Sequence, residues 1–175
     1  MRLRRVYKLS DFLIRESRIL DYYCEMSSIR ELRASDKPSW LIVWRGYLEF
    51  YETDIPEEQT ELTWTRLLDT EFNMHGLVIE DSGAICGFTH YSFQTSTWSP
   101  NGHCYLEDLF VDPNIRGKGL GRALIDAVYD IAVKSGCSRL YWNTDVTNAT
   151  ARKLYDSYTK ESGKIQYRIQ ISSPD

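Results

Sequence analysis

Leu120, Leu124, Ala127, Val128 and Ile131 recur at helical spacing, while Arg122, Asp126, Asp130 and Lys134 take the other faces, so an amphipathic helix is predicted from residue 120 onward. Just before it, Tyr105 to Val111 is rich in aromatic and branched residues and stops at Asp112-Pro113-Asn114, a strand ended by turn chemistry. The same reading extends along the chain. Residues 28–35 form a first strand, and Asp36-Lys37-Pro38 a break. Trp40, Val43, Trp44, Tyr47, Leu48 and Tyr51 then share a helical face over 40–51. Residues 57–69 restart as a second helix led by Glu57 and Glu58, which suit a helix N-terminus. Two strands, 77–81 and 84–94, flank a hairpin turn at Asp81-Ser82-Gly83-Ala84, and 95–103, with Pro100-Asn101-Gly102, reads as a second turn. Gly136 can cap the central helix. Residues 139–144 follow as a strand. Thr147 or Asn148 caps a helix that places Ala151, Leu154, Tyr155 and Tyr158 on one face, and 163–171 alternates Ile165, Tyr167, Ile169 and Ile171 as a last strand. The order β, α, α, β, β, β, α, β, α, β predicts an α/β domain over 28–175. Residues 1–27 read as an appended helix or arm, with Leu9, Phe12, Leu13, Leu20 and Tyr23 on one face.

Composition narrows the class. The 175 residues are 42% hydrophobic and 13% aromatic, enough for one core. No apolar run approaches the ~20 residues of a membrane span, so no membrane partner is expected. No apolar-centred signal opens the chain, and the cytoplasm is the expected compartment. Cys24, Cys86, Cys104 and Cys137 are isolated, which favours reduced thiols; His75, His90 and His103 lack ligand-like spacing, so no metal is expected. The net charge of −4 is unevenly spread. Between Glu49 and Asp81 ten acids face Arg66 alone, whereas from Asp112 onward ten Lys and Arg face seven Asp and Glu. The acidic pI of about 5.4 argues against a nucleic-acid partner. An acidic run is often just a solvated helix face, but it can also receive a cation.

Between strand and helix lies Arg116-Gly117-Lys118-Gly119-Leu120-Gly121-Arg122. Three alternating glycines before a helix leave backbone N–H groups uncovered at the positive end of its dipole, and three flanking cations add formal charge; this is the chemistry of a phosphate loop. The spelling is neither a Walker A loop nor a dinucleotide fingerprint. A basic residue followed by G-x-G-x-G, after a strand ending Val111-Asp112-Pro113, resembles the pyrophosphate signature of the GNAT superfamily of acetyl-CoA-dependent N-acetyltransferases. Asn148 to Tyr155, reading NATARKLY, is similar to that family's later motif, although the Gly-Phe common soon after its Tyr is missing here. The resemblance spans 28–171. Tyr105-Leu106-Glu107-Asp108 and the acidic helical pair resemble the diamine and polyamine acetyltransferases, while Thr95 to Trp98 and Tyr141 to Asp145 are similar to the fungal histone-and-other-protein acetyltransferases.

The resemblance implies a GNAT-like mixed twisted sheet with helices on both faces, acetyl-CoA as cosubstrate, and a homodimer. It implies that the backbone of Leu109, Phe110 and Val111, the loop Arg116, Gly117, Lys118, Gly119, Leu120, Gly121 and Arg122, and Asn148 hold the cofactor. The acceptor is expected to be a cationic amine or a protein lysine, met by Glu52, Asp54, Glu57 and Trp98. An alkylammonium of pKa ~10.4 is only about one-thousandth neutral at pH 7, so a base must stand near it. Glu107 matches the family's base and Asp108 is its competitor. Tyr155 matches the general acid, because a phenol of pKa ~10 can protonate a departing thiolate. A backbone N–H among residues 109–111 would hold the oxyanion. The other reading is a non-catalytic acyl-CoA sensor, which would be free to lose Glu107 and Tyr155.

Overall fold

The computed structural model describes residues 27–171, so the expected N-terminal extension lies outside the described residues except for Ser27. The described residues form two compact units, one running to Trp142 and one from Asn143. The first unit carries a five-stranded mixed sheet in the order β1-β2-β3-β4-β5, comprising β1 (Ser27–Glu31), β2 (His75–Asp81), β3 (Ala84–Ser96), β4 (Ser99–Val111) and β5 (Leu140–Tyr141). Its first four strands are antiparallel neighbours, and β5 runs parallel to β4.

Helices α1 (Lys37–Phe50) and α2 (Glu57–Leu68) cover one face. Trp40, Val43 and Trp44 of α1, with Trp64 and Leu67 of α2, pack against Val78, Phe88 and Phe110 from three adjacent strands. Helix α3 (Leu120–Lys134) covers the other face, burying Leu120, Leu124, Ile125, Val128 and Ala132. Both faces of the sheet therefore lose water, the arrangement that stabilises a sheet of this length. The second unit holds α4 (Ala149–Tyr155), whose first turn is capped by the Asn148 side chain accepting from the Ala151 N–H.

Four expectations need correction. Helix α1 starts at Lys37 rather than at Trp40, because Pro38 sits in its first turn, where a missing N–H costs nothing. Residues 95–103 are mostly strand: β3 and β4 continue to a two-residue tip at Thr97-Trp98, with Ser96 opposite Ser99. The Pro100-Asn101-Gly102 sequence is absorbed as a strand irregularity, with Gly102 at φ 68 so close to β3 that a Cβ would lie 2.1 Å from the Gln94 carbonyl. The strand expected over 139–144 shrinks to two residues. Residues 163–171 form no strand; Ile165, Tyr167, Ile169 and Ile171 are exposed, since period-2 patterning specifies a strand only where a paired edge receives it. The turn at Ser82 and Gly83 is as expected, with φ of 55° and 81°.

Candidate active site

Strand β4 carries an irregularity at its centre. His90 pairs with Asp108 but the next residue, Tyr91, pairs with Leu106, so Glu107 has no partner on β3. This is a bulge, and it breaks the regular side-chain alternation of a strand. Glu107 is exposed on the strand. Partial burial of its carboxyl and the neighbouring Asp108 charge push its pKa above the usual value.

Asp108, its neighbour, is fully engaged. The Tyr47 hydroxyl donates to its Oδ1 at 2.5 Å, and His90 Nδ1 lies 2.9 Å from its Oδ2. Trp40 Nε1–H donates to His90 Nε2 at 3.2 Å, so the ring carries its proton on Nδ1 and donates it to Asp108. The Asp108 carbonyl accepts from the Thr89 hydroxyl at 2.8 Å. Sequence reasoning missed Tyr47 and His90, one counted only as part of an apolar helix face and the other only as a rejected metal ligand. A histidine between Phe88 and Tyr91 in a strand, facing an acid on its neighbour, was the available signal.

Among the described residues no strand lies beside the outer edge of β4 beyond Tyr105, because β5 pairs only at Cys104↔Leu140 and Tyr105↔Tyr141. The Asp112 N–H bonds the Cys86 carbonyl at 2.9 Å, so Asp112 faces β3. Alternation then turns Phe110 toward β3, and the N–H groups of Leu109 and Val111 away from it. Of the three backbone candidates, two present donors to the open side and Phe110 does not.

The glycine loop follows. Gly117 and Gly119 stand at φ 88 and 78, and a Cβ on either would meet nothing within 4 Å. Gly119 is the N-cap of α3, so the loop opens directly onto the N–H groups of a 15-residue helix, and Gly121 lies in its first turn. Open space, left-handed glycines and free helix-end donors together fit a diphosphate. Arg116 donates from Nε to the Val111 carbonyl at 3.0 Å and spreads its guanidinium over the Phe50 and Phe110 rings. Lys118 pairs with Asp81 at 2.5 Å.

The C-terminal end of α1 joins this group. Tyr47 and Tyr51 meet edge to face at 5.0 Å, Tyr51 and Phe50 at 5.1 Å, and Glu52 follows at φ 49. Burial, then the charge of Asp108, raises the Tyr47 pKa, with Tyr51 and Glu107 adding to the effect. Glu107, the loop and the end of α1 are thus assembled in one place. Asp54 and Glu57 are exposed in the connection to α2 and at its start. Trp98 is elsewhere: it is 91% exposed at the β3–β4 tip, nine residues and up to roughly 30 Å of strand from Glu107. In the second unit, Asn148 caps α4 and half-buried Tyr155 ends it. Cys86, Cys104 and Cys137 are free thiols; burial raises Cys86 to about 11 and Cys104 to about 12, leaving both protonated. Among the described residues no group of three or more His, Cys, Asp or Glu could hold a metal ion, and no helix is long and apolar enough to cross a membrane.

A strand with a free edge, a glycine loop and a helix N-terminus make a site for a phosphate-bearing ligand. Residues 29–158 match the acetyltransferase (GNAT) family. The chain is 31% identical over 142 residues to a D-amino-acid N-acetyltransferase of Saccharomyces cerevisiae, covering 80% of this chain and 88% of that one. It is 28% identical over 159 residues to a thialysine N-epsilon-acetyltransferase of Mus musculus, covering 81% and 91%. An integron cassette protein of Vibrio cholerae shares the fold with a TM-score of 0.70 at 23% identity, over 83% of this chain and 93% of that one. The chain belongs to the GNAT family of acetyltransferases, and is an N-acetyltransferase that uses acetyl-CoA as its cosubstrate.

Proposed function

We propose that the acceptor is a primary amine at the end of a flexible cationic chain, either a small polyamine-like molecule or a lysine side chain, acetylated by direct attack in a ternary complex. The observation that carries this reading is the Glu107 carboxylate, set at the bulge beside the aromatic end of α1 and the phosphate loop. In this reading Glu107 takes a proton from the ammonium, and the nitrogen lone pair attacks the thioester carbonyl. The N–H groups of Leu109 and Val111 hold the oxyanion and the cofactor's amide arm. The C–S bond then breaks, Tyr155 gives its proton to the CoA thiolate, and the second proton shed by the attacking nitrogen passes through solvent to restore the phenol. Arg116 to Arg122 bind the diphosphate, and Asn148 orders the helix that carries Tyr155.

Relatives named for thialysine and, in Bacillus subtilis subsp. natto, for spermine support an aliphatic terminal amine; the yeast relative's name offers a D-amino acid instead. Glu52, Asp54 and Glu57 would attract the cation, with Trp98 set apart at the β3–β4 tip. A homodimer and a cytoplasmic compartment complete the reading, the latter supported by the free thiols of Cys86, Cys104 and Cys137 among the described residues. Release of CoA from acetyl-CoA is measured with spermine, thialysine, a lysine peptide and a D-amino acid at equal concentration. Turnover is expected to be highest with one of the first three. Turnover on the D-amino acid alone would refute the terminal-amine reading, and no turnover with any of them, despite measurable acetyl-CoA binding, would favour the sensor.

A further inference from the structure

Asp108 is costly to place where it stands. It is largely buried, with 17% of its side chain exposed, and lies against His90, whose side chain is 3% exposed. A carboxylate in such surroundings needs each oxygen satisfied, and here each has its own donor, one from α1 and one from β3. The His90 donor is itself fixed from behind by the Trp40 indole. Tyr47 is held by its ring neighbours, with Trp44 stacked at 5.3 Å and Phe88 edge-on at 5.7 Å. The chain Trp40-His90-Asp108-Tyr47 thus ties two layers of the fold to one residue of β4, and that residue is the neighbour of the bulged Glu107.

We propose that Asp108, pinned by His90 and Tyr47, is a positioning residue for acetyl transfer: it locks the register of β4 at the bulge and so aims the Glu107 carboxylate and the Leu109 N–H. The register argument is simple. A slip of one residue would place Glu107 opposite His90, where its longer side chain cannot meet both donors, and would turn the amides of Leu109 and Val111 onto β3. A polar network with every member satisfied excludes that alternative, as an apolar contact at the same place would not. The network also sets the charge around Glu107. The titratable groups that face it are Asp108 on its own strand, His90 on β3 and Tyr47 on α1. Burial and then the Asp108 charge raise the pKa of Glu107, with His90 acting the other way, so Asp108 makes Glu107 a stronger base.

This inference rests on Glu107 acting as the base, so Glu107→Gln is measured beside the test variants. Asp108→Asn keeps the shape but sets an NH₂ against one of two donors. Tyr47→Phe removes one hydroxyl and leaves the ring packing. Each is expected to lower kcat at least tenfold, with acetyl-CoA affinity by calorimetry within twofold of the wild type. The acid limb of the kcat/KM profile should move to lower pH in Asp108→Asn, which a merely structural role would not cause. Asp108→Glu should not restore the rate, because the added methylene moves the carboxylate off both donors. If Tyr47→Phe keeps full kcat and Asp108→Asn, where it folds, leaves the limb in place, the network is packing only and the proposal fails. An inactive Glu107→Gln beside active Asp108→Asn and Tyr47→Phe overturns this inference alone, whereas an active Glu107→Gln overturns the base assignment beneath it.

Discussion

At the scale of single residues, Glu107 carries the sharpest expectation. Its pKa is raised by partial burial and by Asp108, and in the proposed mechanism the carboxylate is the active form. Activity should therefore rise with pH along a limb that lies above the ordinary carboxylate range, and Glu107→Gln should lose both the limb and, by the usual worth of a general base, ~10² to 10⁴ in rate. The stability effect has the opposite direction. A carboxyl whose folded pKa exceeds its unfolded one favours the fold below the unfolded value and loses that advantage as pH rises through the folded value. Thermal melts should accordingly find Glu107→Gln at least as stable as the wild type at pH 8 and not so at pH 4. Tyr155→Phe tests the other proton: removing only the hydroxyl should leave acetyl-CoA affinity intact and reduce turnover, and a full kcat would return Tyr155 to the role of a packing residue on α4. The loop glycines and Glu107 stand out in the sequence as candidates because their chemistry is local. The partners of Asp108 were not, since Tyr47 and His90 lie 61 and 18 residues away and become neighbours only through the register of β3 and the docking of α1.

Elements were legible where their own pattern decides them. The amphipathic stripes of α1, α2 and α3 and the Ser82-Gly83 turn each announce themselves within a few residues. Pairing is a property of two segments, so the short β5 and the unpaired 163–171 could not be read from either alone. Gly102 illustrates the same point: Pro-Asn-Gly is turn chemistry, and here it serves a kink inside a strand. The junction of loop and helix offers a clean experiment. Valine at Gly119 would strain a backbone at φ 78, whatever its effect on phosphate. Gly121 lies within α3, where alanine favours the helix by roughly 1 kcal/mol. Gly121→Ala should thus keep or raise the melting temperature while weakening CoA binding through the added Cβ. Calorimetry with CoA checks it; unchanged affinity would take the diphosphate away from this turn.

For the molecule as a whole, the acidic stretch is weaker than its count of charges implies. Of the ten acids between Glu49 and Asp81, Glu61 pairs with Lys37, Glu80 with Arg30 and Asp81 with Lys118, leaving seven to act on solvent. Glu52, Asp54, Glu57 and Glu58 form no ion pair among the described residues, and their field reaches about 8 Å at physiological ionic strength. For a polyamine, kcat/KM should fall more steeply with added salt than for a monoamine, and reversing Glu57 and Glu58 to lysine should raise the polyamine KM without touching that of acetyl-CoA. Equal salt slopes would mark these residues as a solvated helix face. The one-sided pairing of β4 also has a consequence in time. An amide turned onto β3 opens only when the sheet does, whereas those of Leu109 and Val111 have no strand to wait for, so deuterium should enter the strand at alternate residues, quickly at these two and slowly at Phe110 between them. Saturating acetyl-CoA should slow the two fast sites toward the rate of the third, so that the open edge of the sheet reports its own occupancy.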